Sequence, residues 1–131
     1  DQSLLLVSDT RGRMVYSFQT QPDGGLAHKQ EYFWLHMPDG ATQSGADGMT
    51  VDTQGRLYVT TALGVQVCDQ AGRVNFILDK PQRAWLSNVA FGGEKLDTLF
   101  ATCGNAIFKR KTKAQGARSS QAPILPPKPR L

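Results

Sequence analysis

Gly45-Ala46-Asp47-Gly48-Met49-Thr50-Val51-Asp52-Thr53-Gln54-Gly55-Arg56-Leu57-Tyr58-Val59-Thr60-Thr61 is the stretch that decides the fold. It reads as two short strands joined by a tight turn. Met49 and Val51 alternate with polar neighbours, residues 52–55 are turn-forming types, and residues 56–61 are rich in β-branched and aromatic side chains. Asp47 stands at the mouth of the first strand between small residues. Gly45 and Gly48 permit a sharp turn there and leave open space beside the carboxylate. Taken alone, an Asp-Gly pair is a turn whose Asp hydrogen bonds its own backbone. The rest of the chain argues for more.

Upstream, residues 4–9 form a compact apolar strand and residues 13–18 alternate cleanly. Residues 26–35 make a further strand with an aromatic patch at Tyr32, Phe33 and Trp34. Turns at 10–12 and 21–25 separate these runs, and residues 36–44 read as a loop of Pro, Gly and polar side chains. Downstream, residues 64–68 alternate again and a turn at 69–72 follows. Residues 73–78, 86–91, 98–102 and 105–109 supply the remaining strands. No segment carries a helical period. The chain is predicted to be all-β.

The strands repeat. Asp47-Gly48-Met49-Thr50-Val51, a turn and Leu57-Tyr58-Val59-Thr60 line up with Ser87-Asn88-Val89-Ala90-Phe91, a turn and Leu99-Phe100-Ala101-Thr102. The offset of about 40 residues is the period of a four-stranded propeller blade. Leu5-Leu6-Val7-Ser8 fits the second strand of an earlier unit. The expectation is part of a β-propeller over residues 1–115, about two and a half four-stranded blades, with one whole blade over 47–78 between two partial ones. A closed propeller takes roughly four or more blades. Missing upstream blades, or a partner chain, are therefore expected to complete the ring.

Composition sets the outer limits. The 131 residues suffice for one domain with a modest core, and 40% hydrophobic and 20% charged content is ordinary for a soluble protein. No apolar run approaches a membrane span and no signal peptide is visible, so no membrane contact is expected. The compartment stays open between cytoplasmic and periplasmic or secreted. Residues 104–131 carry seven basic side chains and no acid, whereas residues 1–103 carry eight basic against eleven acidic ones, a net of −3. Phe108 is the one aromatic inside the basic stretch, so no nucleic-acid surface is expected. Residues 116–131 shift to Ala, Arg, Ser, Gln and Pro and read as a Pro-rich basic tail, extended or disordered. Its Pro-x-x-Pro-x-Lys pattern suits an aromatic groove but is common by chance. Cys68 and Cys103 fall in different strands at a spacing that fits neither a zinc site nor a redox pair, so two buried free thiols are expected.

No nucleophile is set up. There is no G-x-S-x-G elbow, and neither His28 nor His36 sits in a motif that pairs it with a serine or cysteine. No glycine-rich phosphate loop is present. What remains is acidic and amide side chains at strand entrances. In a propeller the innermost strands surround a central channel, so such residues converge from separate blades. That arrangement suits a hard cation such as Ca²⁺, which gathers oxygen ligands from distant parts of a chain.

Ser44-Gly45-Ala46-Asp47-Gly48-Met49-Thr50-Val51-Asp52, Gly55-Arg56-Leu57-Tyr58-Val59, Gly64-Val65-Gln66-Val67 and Ser87-Asn88-Val89-Ala90-Phe91-Gly92-Gly93 carry a resemblance. They look like the C-terminal portion of the gluconolactonase/regucalcin family, which includes senescence marker protein and luciferin-regenerating enzyme. Leu6-Val7-Ser8-Asp9-Thr10 is similar to that family's preceding blade, and the likeness runs over about residues 4–110. It implies a six-bladed propeller with one divalent metal in the channel, held by a Glu, an Asn and an Asp from separate blades. Asp47 matches the Asp and is the one site residue carried over, as metal ligand and as catalytic general base. The Glu and the Asn would lie upstream of Asp1. Asn88 belongs to the following blade and is expected to satisfy backbone groups at its strand entrance.

The function so implied is a fragment of a divalent-metal-dependent lactonase, a hydrolase acting on a sugar lactone or related ester. The resemblance makes Ca²⁺ the expected cofactor, with Zn²⁺, Mn²⁺ or Mg²⁺ as alternatives. The competing reading is a non-catalytic, NHL-like binding propeller in which Asp47 is only a turn residue. Asp52, at the far end of the same strand, is expected to be a neutral position.

Overall fold

Ten strands and no helix make up residues 3–118, the part of the chain that the computed structural model describes. β1 (Leu4–Ser8), β2 (Met14–Thr20) and β3 (Leu26–Trp34) form one antiparallel sheet. β4 (Met49–Val51), β5 (Leu57–Thr60), β6 (Gly64–Cys68) and β7 (Val74–Asp79) form a second, and β8 (Leu86–Gly92), β9 (Thr98–Cys103) and β10 (Ala106–Lys111) a third. Each sheet is a meander in which neighbours in sequence are neighbours in space, the pattern of propeller blades. Sheets of three, four and three strands amount to the two and a half blades expected from the repeat. All ten strands were legible in the sequence.

The middle sheet is covered on both faces. Every residue of β5 and β6 is buried, and the two-residue alternation of a strand divides them between the neighbouring sheets. Leu57, Val59 and Cys68 pack with Val15, Phe33 and Leu35 of the first unit. Tyr58, Val65 and Val67 pack with Leu86, Val89, Leu99 and Cys103 of the third. Full burial of one such aliphatic contributes about 1.5–3 kcal/mol. A one-residue slip of β5 would exchange the two sets, so both cores fix its register.

Gln66, like Thr60 of β5, is polar yet fully buried; it lies on the face toward the first sheet. Its Nε2 donates to the His36 carbonyl at 2.7 Å and to Thr61 Oγ1 at 3.1 Å, and its Oε1 accepts the His36 N–H at 2.9 Å. The amide thus takes the place of a strand partner where the chain leaves β3 for the loop to β4.

Asp52 overturns an expectation. It is buried rather than neutral. Its Oδ1 accepts the N–H groups of Gln54 (2.9 Å) and Arg56 (3.0 Å), and its Oδ2 accepts Arg56 Nε–H (2.6 Å) and Tyr58 O–H (3.1 Å). Asp69 does the same one turn on, accepting the N–H groups of Ala71 and Arg73 and the Arg73 Nε–H. Gly55 and Gly72, at φ of 70° and 85°, supply the left-handed residue before each arginine. This Asp-x-x-Gly-Arg repeat stands in the sequence at 52–56 and 69–73 and escaped the reading above. The same letters at 9–13 fold differently: Gly12 is outside the left-handed region, and the Arg13 guanidinium covers the Trp34 ring at 4.6 Å.

Both cysteines are free and buried, as expected. Burial, and then the Asp69 charge, pushes the Cys68 thiol up to about 12, so it stays protonated and unreactive. The chain remains hydrogen bonded past the composition boundary at 115/116. Gly116 N–H donates to Leu96 and Ala117 N–H to Val51, while Thr53 N–H reaches Gln115. The rest of the Pro-rich tail, from residue 119, lies outside the described residues. Among the described residues no helix is long and apolar enough to cross a membrane.

Two expectations follow from this packing. Burial, and then the Asp52 charge, pushes the Tyr58 phenol up to about 12, above its ordinary value of about 10. The folded chain holds that proton more tightly than the unfolded one, so this contribution to stability is intact below about pH 10 and is lost as the pH rises toward 12. Asp52→Asn should lower the late tyrosinate transition in an ultraviolet titration. It should also cost about 1–3 kcal/mol in denaturant unfolding. An unmoved transition would show that the carboxylate does not govern Tyr58. The second concerns the edges of β1 and β10, which are unpaired among the described residues and present exposed Leu4, Leu5, Val7 and Ile107. The isolated chain should self-associate. Sedimentation showing a sharply melting monomer at low concentration would exclude this.

Candidate active site

Antiparallel meanders return every second turn to the same end. The turns after β1, β5 and β9 therefore share one end with the inter-sheet loops at 35–48 and 80–85, and the two Asp-x-x-Gly-Arg turns lie at the other. Asp47 stands at the first of these ends, just before β4, the inner edge of the middle sheet.

The backbone around it is bonded to all three sheets. Ser44 N–H donates to Gly12 at 2.8 Å, Gly45 N–H to Thr10 at 3.1 Å, and Thr10 Oγ1 to the Ala46 carbonyl at 2.7 Å. From the middle sheet, Ala62 N–H reaches the Ser44 carbonyl at 2.8 Å and Asp47 N–H reaches Thr60 at 3.1 Å. Gly48 N–H then crosses to the Ser87 carbonyl of the third sheet at 2.9 Å. Gly45 takes the left-handed φ of 64° that this path requires. Gly48 is needed for a different reason. A Cβ there would overlap the Asn88 amide and come within 2.7 Å of the Asn88 Cα, so β4 and β8 approach closely because Gly48 has no side chain.

The Asp47 carboxylate itself is exposed. Its Oδ2 accepts the Trp85 indole N–H at 2.9 Å, and its Oδ1 makes no hydrogen bond among the described residues. Asp9, Asp23, Asp52 and Asp69 each accept backbone N–H groups of their own turns, whereas Asp47 accepts none. Ser8 Oγ closes the rim by donating to the Asp47 carbonyl at 3.3 Å. Asn88 does what was expected of it, its Oδ1 accepting the Val89 N–H at 2.8 Å.

Among the described residues no three His, Cys, Asp or Glu side chains gather around one point. Asp47 is nonetheless an oxygen donor of the type hard cations take, with one oxygen uncommitted, and so fits one position of such a site. His28 lies on β3, the outer strand of the first sheet. His36 has its backbone clamped by Gln66. Trp85 was missed by the sequence reading. The available signal was an aromatic placed two residues before Ser87, the position that aligns with Asp47 in the next repeat.

These features define a partial propeller with a carboxylate on its inner rim. The chain belongs to the SMP-30/Gluconolactonase/LRE-like family, whose sequence model matches residues 1–105. No curated protein matches it. Among solved structures, it resembles an X-ray structure of a protein provisionally assigned as a gluconolactonase, with a TM-score of 0.74 and 26% identity over 88% of this chain and 37% of that one. It also resembles luciferin-regenerating enzyme, with a TM-score of 0.70 and 20% identity over 93% of this chain and 46% of that one. The latter likeness is one of fold. This chain spans less than half the length of either structure.

Gly48→Ala should destabilise the fold by about 1–3 kcal/mol, because the clash is partly with backbone that cannot swing aside. Denaturant unfolding measures this, and an unchanged midpoint would show that β4 and β8 have room to spare.

Proposed function

We propose that this protein is a divalent-metal-dependent hydrolase of a sugar lactone or related ester, with Asp47 as a metal ligand and general base. The observation that carries the reading is the Asp47 carboxylate, held at the inner rim with one oxygen tied to Trp85 and the other free of hydrogen bonds among the described residues. Membership of the gluconolactonase-like family supports the reaction class. Asp47 supplies a charged, hard oxygen ligand of the type Ca²⁺ favours over softer donors. The remaining ligands come, in this reading, from blades outside residues 3–118 or from a partner chain that closes the ring. A divalent cation bound there would polarise the ester carbonyl and stabilise the developing oxyanion. As a water within reach of Oδ1 attacks the acyl carbon and its C–O bond breaks, Asp47 would take the water's proton on the oxygen it shares with the cation and pass it to the departing ester oxygen.

The test is Asp47→Asn in the intact, ring-closed protein. The amide is nearly isosteric and no backbone N–H depends on the carboxylate, so the fold should persist. Ca²⁺ affinity by calorimetry should fall, and lactone hydrolysis followed by proton release should drop by roughly 10²- to 10⁴-fold. A variant that binds cation and turns over like the parent would reduce Asp47 to a rim residue and leave a binding propeller as the better reading.

A further inference from the structure

Trp85 is half-exposed, at 52%, on the rim loop 80–85. Its backbone is well fixed: Gly104 N–H donates to its carbonyl at 2.8 Å, and Leu86 beyond it is buried. On the same loop, Gln82 Nε2 donates to the Cys103 carbonyl at 2.6 Å. The far edge of the indole lies over Gly45, where a Cβ would sit 3.4 Å from its Cη2. So large an apolar side chain, left half in water, adds little to either core. What it does is donate its only hydrogen to Asp47 Oδ2.

The choice of donor carries the argument. Asp52, Asp69 and Asp97 are each neutralised by a cation, Arg56, Arg73 and Lys111 respectively. Asp47 has no such pair among the described residues, although Lys80 and Arg83 stand on the very loop that carries Trp85. An indole N–H orients a carboxylate without cancelling its charge, whereas an arginine would orient and neutralise it together. We infer that Trp85 is a positioning residue: its neutral N–H fixes one oxygen of Asp47 and leaves the negative charge and the other oxygen to a divalent cation. This rests on the metal-site reading above and adds to it the group that sets the ligand's orientation. Hydrogen-bond partners that orient a metal ligand are typically worth about 10- to 100-fold in affinity.

The experiment uses the intact, ring-closed protein, with Ca²⁺ alone as the probe, and reads two independent signals. The first needs no metal. The Trp85 indole N–H resonance should shift in Asp47→Asn, reporting the hydrogen bond itself. The second is calorimetry. Trp85→Phe, which keeps a ring over Gly45 and loses the donor, should bind Ca²⁺ about 10- to 100-fold more weakly. That loss should vanish in the Asp47→Asn background, since the effect runs through that carboxylate. Trp85→Arg restores donors but adds a charge, and should weaken Ca²⁺ at least as much as Trp85→Phe.

Equal affinity of Trp85→Phe and parent, or a loss that simply adds to that of Asp47→Asn, would overturn the inference while leaving the metal site standing. So would parent-like binding by Trp85→Arg. If the parent binds no Ca²⁺ while the indole resonance still reports Asp47, the underlying metal reading fails, and the inference fails with it.

Discussion

The structure depends on the seam at residues 44–48, where one short run of backbone is hydrogen bonded to all three sheets. A segment crossing between packed sheets must satisfy its N–H and C=O groups without a regular strand partner. Here Gly12 and Thr10 serve from one side, Thr60 and Ala62 from the middle, and Ser87 from the other. Gln66 extends the same solution back to His36. Because the backbone is satisfied by neighbouring sheets, the Asp47 side chain has no turn to hold together. Its carboxylate is left to the rim, and that is the link from packing to chemistry.

Asp47 is treated differently from the acids that hold turns. At the far end, Asp52 and Asp69 are tied to arginines and to the N–H groups of their own turns. A paired carboxylate of that kind, buried at Asp52 and partly exposed at Asp69, closes a hairpin and has its charge taken up by an arginine. At the near end Asp9 still holds its own turn, accepting the Gly12 N–H at 3.0 Å, but Asp47 has only a neutral donor and, among the described residues, an open oxygen. Asp47 thus joins a firmly bonded backbone to a carboxylate that no cation of the described residues neutralises, a local departure from the rules of stability.

This contrast also marks what was legible in the sequence. Strand positions were, because apolar alternation and turn residues are local signals, and the blade repeat followed from them. The difference between Asp47 and Asp52 was harder. Both are acids within a few residues of a glycine, and the telling feature of Asp52 is Arg56 at i+4 behind a left-handed Gly55. Once that arrangement is known, the sequence does display it, twice. Gln66 interrupts the apolar residues of an alternating strand, yet it is buried, since the central strands β5 and β6 are covered on both faces. Trp85 lies 38 residues from its partner, and no local pattern encodes such a contact.

The bonding at the seam has a consequence for how the site is assembled. Everything that fixes the Asp47 backbone comes from the three sheets described, and so does Trp85, which fixes its side chain. The proposed ligand position is therefore preorganised by these three sheets alone. Cation binding, by contrast, needs oxygen donors from more than one direction. In the proposed reading, positioning of the carboxylate and completion of the site are thus separable: the first is a property of a hydrogen-bonded core with buried aliphatic packing on both sides, and the second would require the closed ring. Under the proposed metal reading, a carboxylate held rigid in advance would lose little freedom on binding a cation, so the stability of this three-sheet unit would itself contribute to affinity.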